Sequence, residues 1–330
     1  MKALIYDTYA GASQMRIVER PIPQPGQGQV RIAVHAAGLN AADWHLYLGD
    51  PWLARLSFGL RRPGERVLCK DYAGVVDALG EGVTGLNVGD RVFGEAWRGA
   101  GAEFLVTEAT RVVAMPVGLT FEEAAALPMV ALTAMQGLAQ AGMGTANLPD
   151  APRTLVIGAS GGVGHAAVQI ARILGAGRVV AVCSQRNAAM VADLGADRVI
   201  AYDRERVLDC GETFDLVFDT VATTSFRRLR AIMSSRGVYA AAGGVGGGKL
   251  LGPAWSVFSP RLVSPFVSQR AVSVSASNSG DDLARVATWV EQEQLRPVLE
   301  RVYPWEEFAP ALERLESKRV AGKLVLRIVP

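Results

Sequence analysis

The sequence predicts an α/β protein in which a β-rich amino-terminal region leads into a doubly wound parallel sheet. Three observations carry this. The stretch Arg153–Ala176 reads as strand, glycine turn and helix: Thr154 to Ile157 is a short apolar run, and Ala167, Ile170, Ala171 and Leu174 recur at helical spacing. Arg178–Cys183 supplies a second apolar run and closes a strand–helix–strand unit. The texture also changes along the chain, from short strands broken by glycine and aspartate to helix alternating with strand from Glu122 onward.

Length and composition bound the problem. At 330 residues the chain is long enough for about two domains. Half the residues are hydrophobic, a fifth are charged and the net charge is +2, so nothing argues for a nucleic-acid surface or a disordered chain. Cys69, Cys183 and Cys210 form no C-x-x-C pair and leave an odd number, as expected in a reducing compartment. The amino terminus MKALIYDTYAG lacks the basic, then apolar pattern of a secretion signal, and a cytoplasmic location is expected. Ala124–Pro149 is uncharged for longer than a membrane span requires. Its Ala and Gly content, with Pro128, Gln136, Gln140 and Asn147, predicts instead a buried helix leading into the second region, and no membrane association.

In chain order, Val30–Ala36 alternates as a strand does, after a loop marked by Pro21, Pro23, Pro25, Gly26 and Gly28. Strand-like runs follow at Ala73–Leu79, Arg91–Phe93 and Ala102–Val106. After the first strand–helix–strand unit, Asn187–Leu194 is expected as helix, and Arg198–Ala201 and Phe214–Phe218 as strands. The arginines at 227, 228 and 230 read as a solvated helix face. Beyond the glycine cluster 242–248, KLLGPAWSVFSPRLVSPF reads as irregular and apolar, suited to a pocket lining or an interface. Helical periodicity returns in Asp281–Gln292 and Ala309–Glu316, and Lys323–Val329 is a closing strand.

The glycine turn carries the chemistry. Gly162, Gly164 and Ala167 match the G-x-G-x-x-G/A spacing. Glycine allows the tight turn and a close approach of backbone to a pyrophosphate, whose oxygens the free N–H groups of the first helical turn would face. The alternative is a glycine turn of purely structural use; the strand on either side of the helix favours dinucleotide binding. Which dinucleotide depends on the end of the second strand, Ala181–Asn187. No acidic residue stands there to accept from a ribose 2′-hydroxyl, whereas Ser184 and Arg186 can contact a 2′-phosphate, so NADPH is expected. The alternative reading of Arg186 is a solvated residue at a helix start.

The motifs Gly38-Leu-Asn40-Ala-Ala-Asp43, Asp71-Tyr-Ala-Gly74, Val88-Gly89-Asp90-Arg91-Val92-Phe93, Ala131-Leu-Thr133-Ala134, the turn Gly158–Gly164, Leu194-Gly195-Ala196-Asp197 and Gly322-Lys323 together carry a resemblance over essentially the full length. The chain resembles the zinc-independent, quinone-oxidoreductase-like branch of the medium-chain dehydrogenase/reductase superfamily. The resemblance implies a Rossmann domain, residues 124–267, inserted into a β-rich GroES-like catalytic domain, residues 1–123 and 268–330, with an active cleft between them and a homodimer. It implies that Asn40, Thr133 and the backbone of Gly243, Gly244 and Val245 surround the nicotinamide and its ribose. It also implies that Ser160, Gly161, Gly162, Val163, Gly164, Ser184, Arg186, Tyr202 and Lys323 bind the coenzyme. The family's 2′-phosphate lysine is missing, its place falling at or next to Asn187.

Zinc-dependent relatives place a cysteine where this chain has Asn40, and Gly-His-Glu where it has Cys69-Lys70-Asp71. An ammonium cannot replace a neutral imidazole ligand, and three cysteines cannot build a four-cysteine lobe. His35, His45 and His165 have no second ligand at i+3 or i+4 and read as ordinary strand, pocket-wall and helix residues. A metal-free enzyme is therefore expected, relying on positioning and on an acceptor activated by conjugation. Within the resemblance, Asn40 is the residue for a substrate carbonyl, Asp43 holds its loop, and Trp44, His45, Tyr47, Trp52 and Phe58 are candidate walls of an apolar pocket for a quinone or α,β-unsaturated carbonyl. The proton donor is the least defined part. The tyrosine of enoyl-thioester reductases is replaced in Gly49-Asp50-Pro51, leaving Tyr47 or His45 as candidates, and quinones need none. Two alternatives stand beside this reading: a metal-free NAD(P)-dependent alcohol or carbonyl dehydrogenase, and a nucleotide-binding interaction protein without turnover.

Overall fold

The computed structural model describes residues 1–329 apart from Ala10, Pro51, Leu53, Ala54, Glu65, Arg98 and 245–247. It divides into two compact units, Met1–Val130 with Asn278–Pro330, and Ala131–Ser277.

The first unit is organised on the strand Gln29–Leu39. Its first half obeys the period of two: Val30, Ile32 and Val34 are buried while Gln29, Arg31 and Ala33 are less so. The strand pairs antiparallel with Asp71–Leu79, ending in the register Gly38↔Asp71. On its other edge it takes Phe104–Glu108 along its first half and Lys323–Arg327 along its last, with Leu324 opposite Leu39. Both chain ends thus enter one β-rich unit, as the resemblance implied. Gly38 is required here, because a Cβ would lie 2.2 Å from the carbonyl oxygen of Ala125, in the helix Phe121–Ala125 packed across the sheet. Leu4, Ile32, Val76, Leu105, Trp305 and Leu326 belong to the apolar core beneath.

The second unit is a six-stranded parallel sheet in the order Arg198–Ala201, Arg178–Cys183, Arg153–Ile157, Phe214–Asp219, Met233–Ala241, Arg270–Ser273. In sequence order that is 3-2-1-4-5-6, the doubly wound order that reverses beside the first strand. Leu155, Val180, Ile200, Phe214 and Val217 are in its core, which explains why these strands read as unbroken apolar runs.

The structure departs from the sequence expectations in places. The units meet at 130/131 and 277/278 rather than at 123/124 and 267/268. Ala124 to Leu127 are fully buried, the helix Phe121–Ala125 packing on the Gln29–Leu39 strand, while 270–273 is the last strand of the parallel sheet. The stretch read as irregular is the helix Gly248–Val263, despite Pro253 and Pro260. Val257 is partly buried against the central core, and its carbonyl accepts the Ser273 hydroxyl at 2.8 Å, which ties the helix to the last strand of the sheet. The strands Lys2–Tyr6, Arg16–Glu19, Met233–Ala241 and Leu299–Pro304 were not expected. Of the three arginines, 227 and 228 are exposed, but Arg230 donates to Gln269. No helix of the described residues is long and apolar enough to cross a membrane.

Candidate functional site

In the parallel-sheet unit, the helix Gly162–Ile173 starts directly after Gly161, and its first bond to the turn is His165 N–H to the Gly161 carbonyl at 2.9 Å. The N–H groups of Gly162, Val163 and Gly164 therefore have no partner within the helix. A Cβ on Gly164 would lie 2.1 Å from the Gly158 carbonyl oxygen, whereas one on Gly161 would meet nothing closer than 3.5 Å. Gly164 is needed for the fold of the turn, and Gly161 leaves room above it. Gly158 has φ +80°, and a Cβ there would meet Thr220 and Val221. That neighbour is held by Asp219, whose buried carboxylate accepts the N–H groups of Val221 and Ala222 and the Tyr239 hydroxyl at 2.8 to 3.0 Å. Burial pushes the Asp219 pKa up. Sequence reading missed Asp219; its signal was an acid ending an apolar strand. The residues present fit a dinucleotide pyrophosphate.

The strands Arg178–Cys183 and Arg198–Ala201 pair in register, Cys183 with Ala201, so Ser184, Arg186 and Tyr202 lie on adjoining strand exits. Arg186 is exposed and Tyr202 is 65 % exposed. Asn187, at or next to the expected place of the absent lysine, donates to Ser160 Oγ at 3.0 Å and ties this loop to the glycine turn. Asp203 accepts the Gln185 N–H at 2.9 Å, which brings an acid from the next strand exit beside the Ala181–Asn187 segment. Gly243 passes close to Thr220, where a Cβ would sit 2.7 Å from its carbonyl oxygen. Gly244 follows it in the loop after Met233–Ala241, and Val245 lies outside the described residues. Thr133 is half-buried on the helix Pro128–Gln140.

In the β-rich unit, three strand ends bring Asn40, Asp71 and Lys323 together. Asn40 follows the long strand, Asp71 begins its neighbour, and Lys323 begins the strand on the other edge. Lys323 is 2 % exposed and donates to Asn40 Oδ1 at 2.5 Å, to the Leu39 carbonyl at 2.7 Å and to Asp71 Oδ2 at 3.5 Å. Asn40 Nδ2 donates to Asp71 Oδ2 at 2.9 Å, and the Met129 N–H donates to Asp71 Oδ1 at 3.1 Å. Asp43 accepts the Asn40 backbone N–H at 2.8 Å, holding its loop as the sequence suggested. Burial raises the Asp71 pKa, and Lys323 and Asn40 oppose it. Burial likewise pushes Asp43 up to about 7, against the Asn40 hydrogen bond.

Two expected site residues have their partners within the β-rich unit. Lys323, expected at the coenzyme, directs its ammonium closely at Asn40 Oδ1 and the Leu39 carbonyl inside this unit, with Asp71 Oδ2 at the 3.5 Å limit of a hydrogen bond. Tyr47 was expected as a catalytic acid or pocket wall, but it is fully buried in the core and donates to Glu316 Oε1 at 2.6 Å. Burial drives its pKa far above the ordinary tyrosine value. Trp44 packs against the same core with the Lys318 ammonium 4.4 Å from its ring centre. His45 Nδ1 meets the Asp50 carbonyl at 2.7 Å, and burial lowers its pKa. His35 stacks on Phe121 and His165 Nδ1 meets the Gly161 carbonyl. Trp52 is 58 % exposed, and the Phe58 side chain lies outside the described residues.

The residues at the zinc positions of relatives do not fit a zinc ion. Asn40 and Asp71 already bind an ammonium, and Lys70 lies over the Trp97 ring, 5.3 Å from its centre. Among the described residues no group of His, Cys, Asp and Glu could hold a metal.

Residues 26–137 match the family model described as alcohol dehydrogenase GroES-like domain, and 194–326 the model described as zinc-binding dehydrogenase. The chain is 30% identical to 2-methylene-furan-3-one reductase of Solanum lycopersicum, over 100% of this chain and 80% of that protein. It is 28% identical to NADPH-dependent alkenal/one oxidoreductase, chloroplastic, of Arabidopsis thaliana, with the same coverage. The structure of the quinone oxidoreductase from Coxiella burnetii superposes with TM-score 0.85 at 28% identity, covering 100% of this chain and 99% of that one. With matches across the length of this chain added to the doubly wound sheet and the β-rich unit made from both chain ends, the chain belongs to the quinone-oxidoreductase-like branch of the medium-chain dehydrogenase/reductase superfamily.

Proposed function

We propose that this chain is an NADPH-dependent, metal-free reductase of quinones or α,β-unsaturated carbonyls, working as a cytoplasmic homodimer. The observation that carries the reading is the Asn40 amide, held between Lys323 and Asp71 where relatives with zinc place a ligand. Bound NADPH supplies a hydride, two electrons with one proton. Delivered to the β-carbon of an enone or to a quinone, that hydride would leave negative charge on the acceptor's carbonyl oxygen, and a proton from water would complete the product. The chain's part is orientation and electrostatics. The open turn at Gly161 to Gly164 receives the pyrophosphate, and the Asn40 side-chain N–H meets the acceptor oxygen. The names of the relatives support the substrate class, since they include an alkenal/one oxidoreductase and a quinone oxidoreductase.

The test is NADPH oxidation with phenanthrenequinone and with hexenal, alongside metal analysis of the same preparation. Turnover of either acceptor by zinc-free protein is expected. Binding of NADPH with no turnover of either would sink the enzyme reading, and a stoichiometric, tightly held zinc would overturn the metal-free one.

A further inference from the structure

The ammonium of Lys323 is buried at a cost of several kcal/mol before its partners are counted. Packing alone does not require it, because buried ion pairs replaced by apolar residues of similar volume are often no less stable. Its surroundings are specific. The ammonium meets Asn40 Oδ1 and the Leu39 carbonyl closely and lies 3.5 Å from Asp71 Oδ2, and the strand register sets this, since Leu324 opposite Leu39 brings Lys323 to the level of Asn40.

The orientation of the Asn40 amide then follows from chemistry. Lysine has no acceptor, so the amide oxygen faces Lys323; a carboxylate has no donor, so the amide nitrogen faces Asp71. That nitrogen carries a second N–H, whose acceptor in the structure is the Gly38 carbonyl at 3.5 Å, the limit of a hydrogen bond. A cation on the oxygen of an amide draws electron density away from its nitrogen and strengthens that N–H as a donor.

We propose that Lys323 is a positioning residue for hydride transfer: fixed on Asn40 Oδ1, it turns the spare Asn40 N–H to the acceptor oxygen and stabilises the negative charge arriving there. Asp71 holds the amide nitrogen and keeps the buried site near neutrality. This rests on the hydride-transfer reading above. A hydride acceptor that develops a poorly delocalised enolate, as hexenal does, needs such help more than a quinone, whose charge spreads over a conjugated ring.

The experiment compares wild type with Lys323→Gln and with Lys323→Met/Asp71→Asn, which removes both charges together. Melting curves, NADPH affinity by fluorescence, and kcat/KM for hexenal and phenanthrenequinone are measured on each. The expected result is unchanged NADPH affinity, with kcat/KM for hexenal falling at least about tenfold further than for phenanthrenequinone. The ratio of the two values does not depend on the fraction of folded molecules, so a partly folded sample reads it equally well. Equal losses for both acceptors, or none, overturn the proposal and make Lys323 a packing residue. Failure of both variants to fold overturns it in the same way. Wild type that reduces neither acceptor would instead defeat the hydride-transfer reading itself.

Discussion

Tyr47 and Asn40 lie seven residues apart, yet their surroundings give them different tasks. Tyr47 is sealed in the core with its hydroxyl on Glu316, so Tyr47→Phe should cost about 1–3 kcal/mol of stability, by leaving Glu316 without that donor. Its kcat should match wild type, and a large loss of turnover without a change in Tm would restore Tyr47 to the chemistry. Arg186 tests coenzyme choice. With Ser184 it should favour NADPH over NADH by at least about tenfold in affinity, and Arg186→Ala should remove most of that. Asp203, bonded to the Gln185 N–H nearby, works against a phosphate, so equal affinities in wild type would mean that the acid wins. Asp43 gives a pH prediction with a definite sign. Burial raises its pKa from 3.8 to about 7, so between those values the folded state holds the proton more tightly than the unfolded chain. Its contribution is complete at pH below the unfolded value and is lost as pH rises toward 7, by at most about 1.4 kcal/mol per pH unit. The wild-type minus Asp43→Asn difference in unfolding free energy should therefore fall from pH 4 to pH 7, and a flat difference would show an ordinary carboxylate.

The glycine turn is the element whose two functions can be separated. At Gly164 an added Cβ strikes backbone, so Gly164→Ala should lose roughly 2 kcal/mol or more of stability together with NADPH binding. At Gly161 the same atom makes only an ordinary contact with the Gly158 carbonyl, and φ is −81°. Gly161→Ala should therefore cost about 1 kcal/mol or less in stability and yet raise the NADPH Kd by about tenfold, because the methyl enters the space kept for the pyrophosphate. Calorimetry and fluorescence titration check both, and a Gly161→Ala protein with wild-type affinity would move the pyrophosphate elsewhere. This turn was legible because its spacing and the flanking strands are local signals. The helix Gly248–Val263 was not, since its two prolines and two glycines argue locally against helix, and its ties to the parallel sheet, through Val257 and Ser273, are with residues distant in sequence.

At the scale of the whole molecule, family membership leads us to expect a homodimer, and sedimentation equilibrium should give twice the chain mass; a monomer at micromolar concentration would refute it. The sequence by itself determined the α/β class, the parallel sheet around Arg153–Cys183, the glycine turn and the return of the chain end to the first unit, because periodicity, glycine spacing and family motifs are written within short windows. The seams at 130/131 and 277/278 came only from tertiary structure. So did the burial of Tyr47 against Glu316 and the pairing of Lys323 with Asn40 across 283 residues of chain. The physical reason is the same in each case. Which face a side chain presents, and which acceptor its proton finds, is decided by strand register and by the cost of burying an unpaired polar group, and both depend on partners distant in sequence.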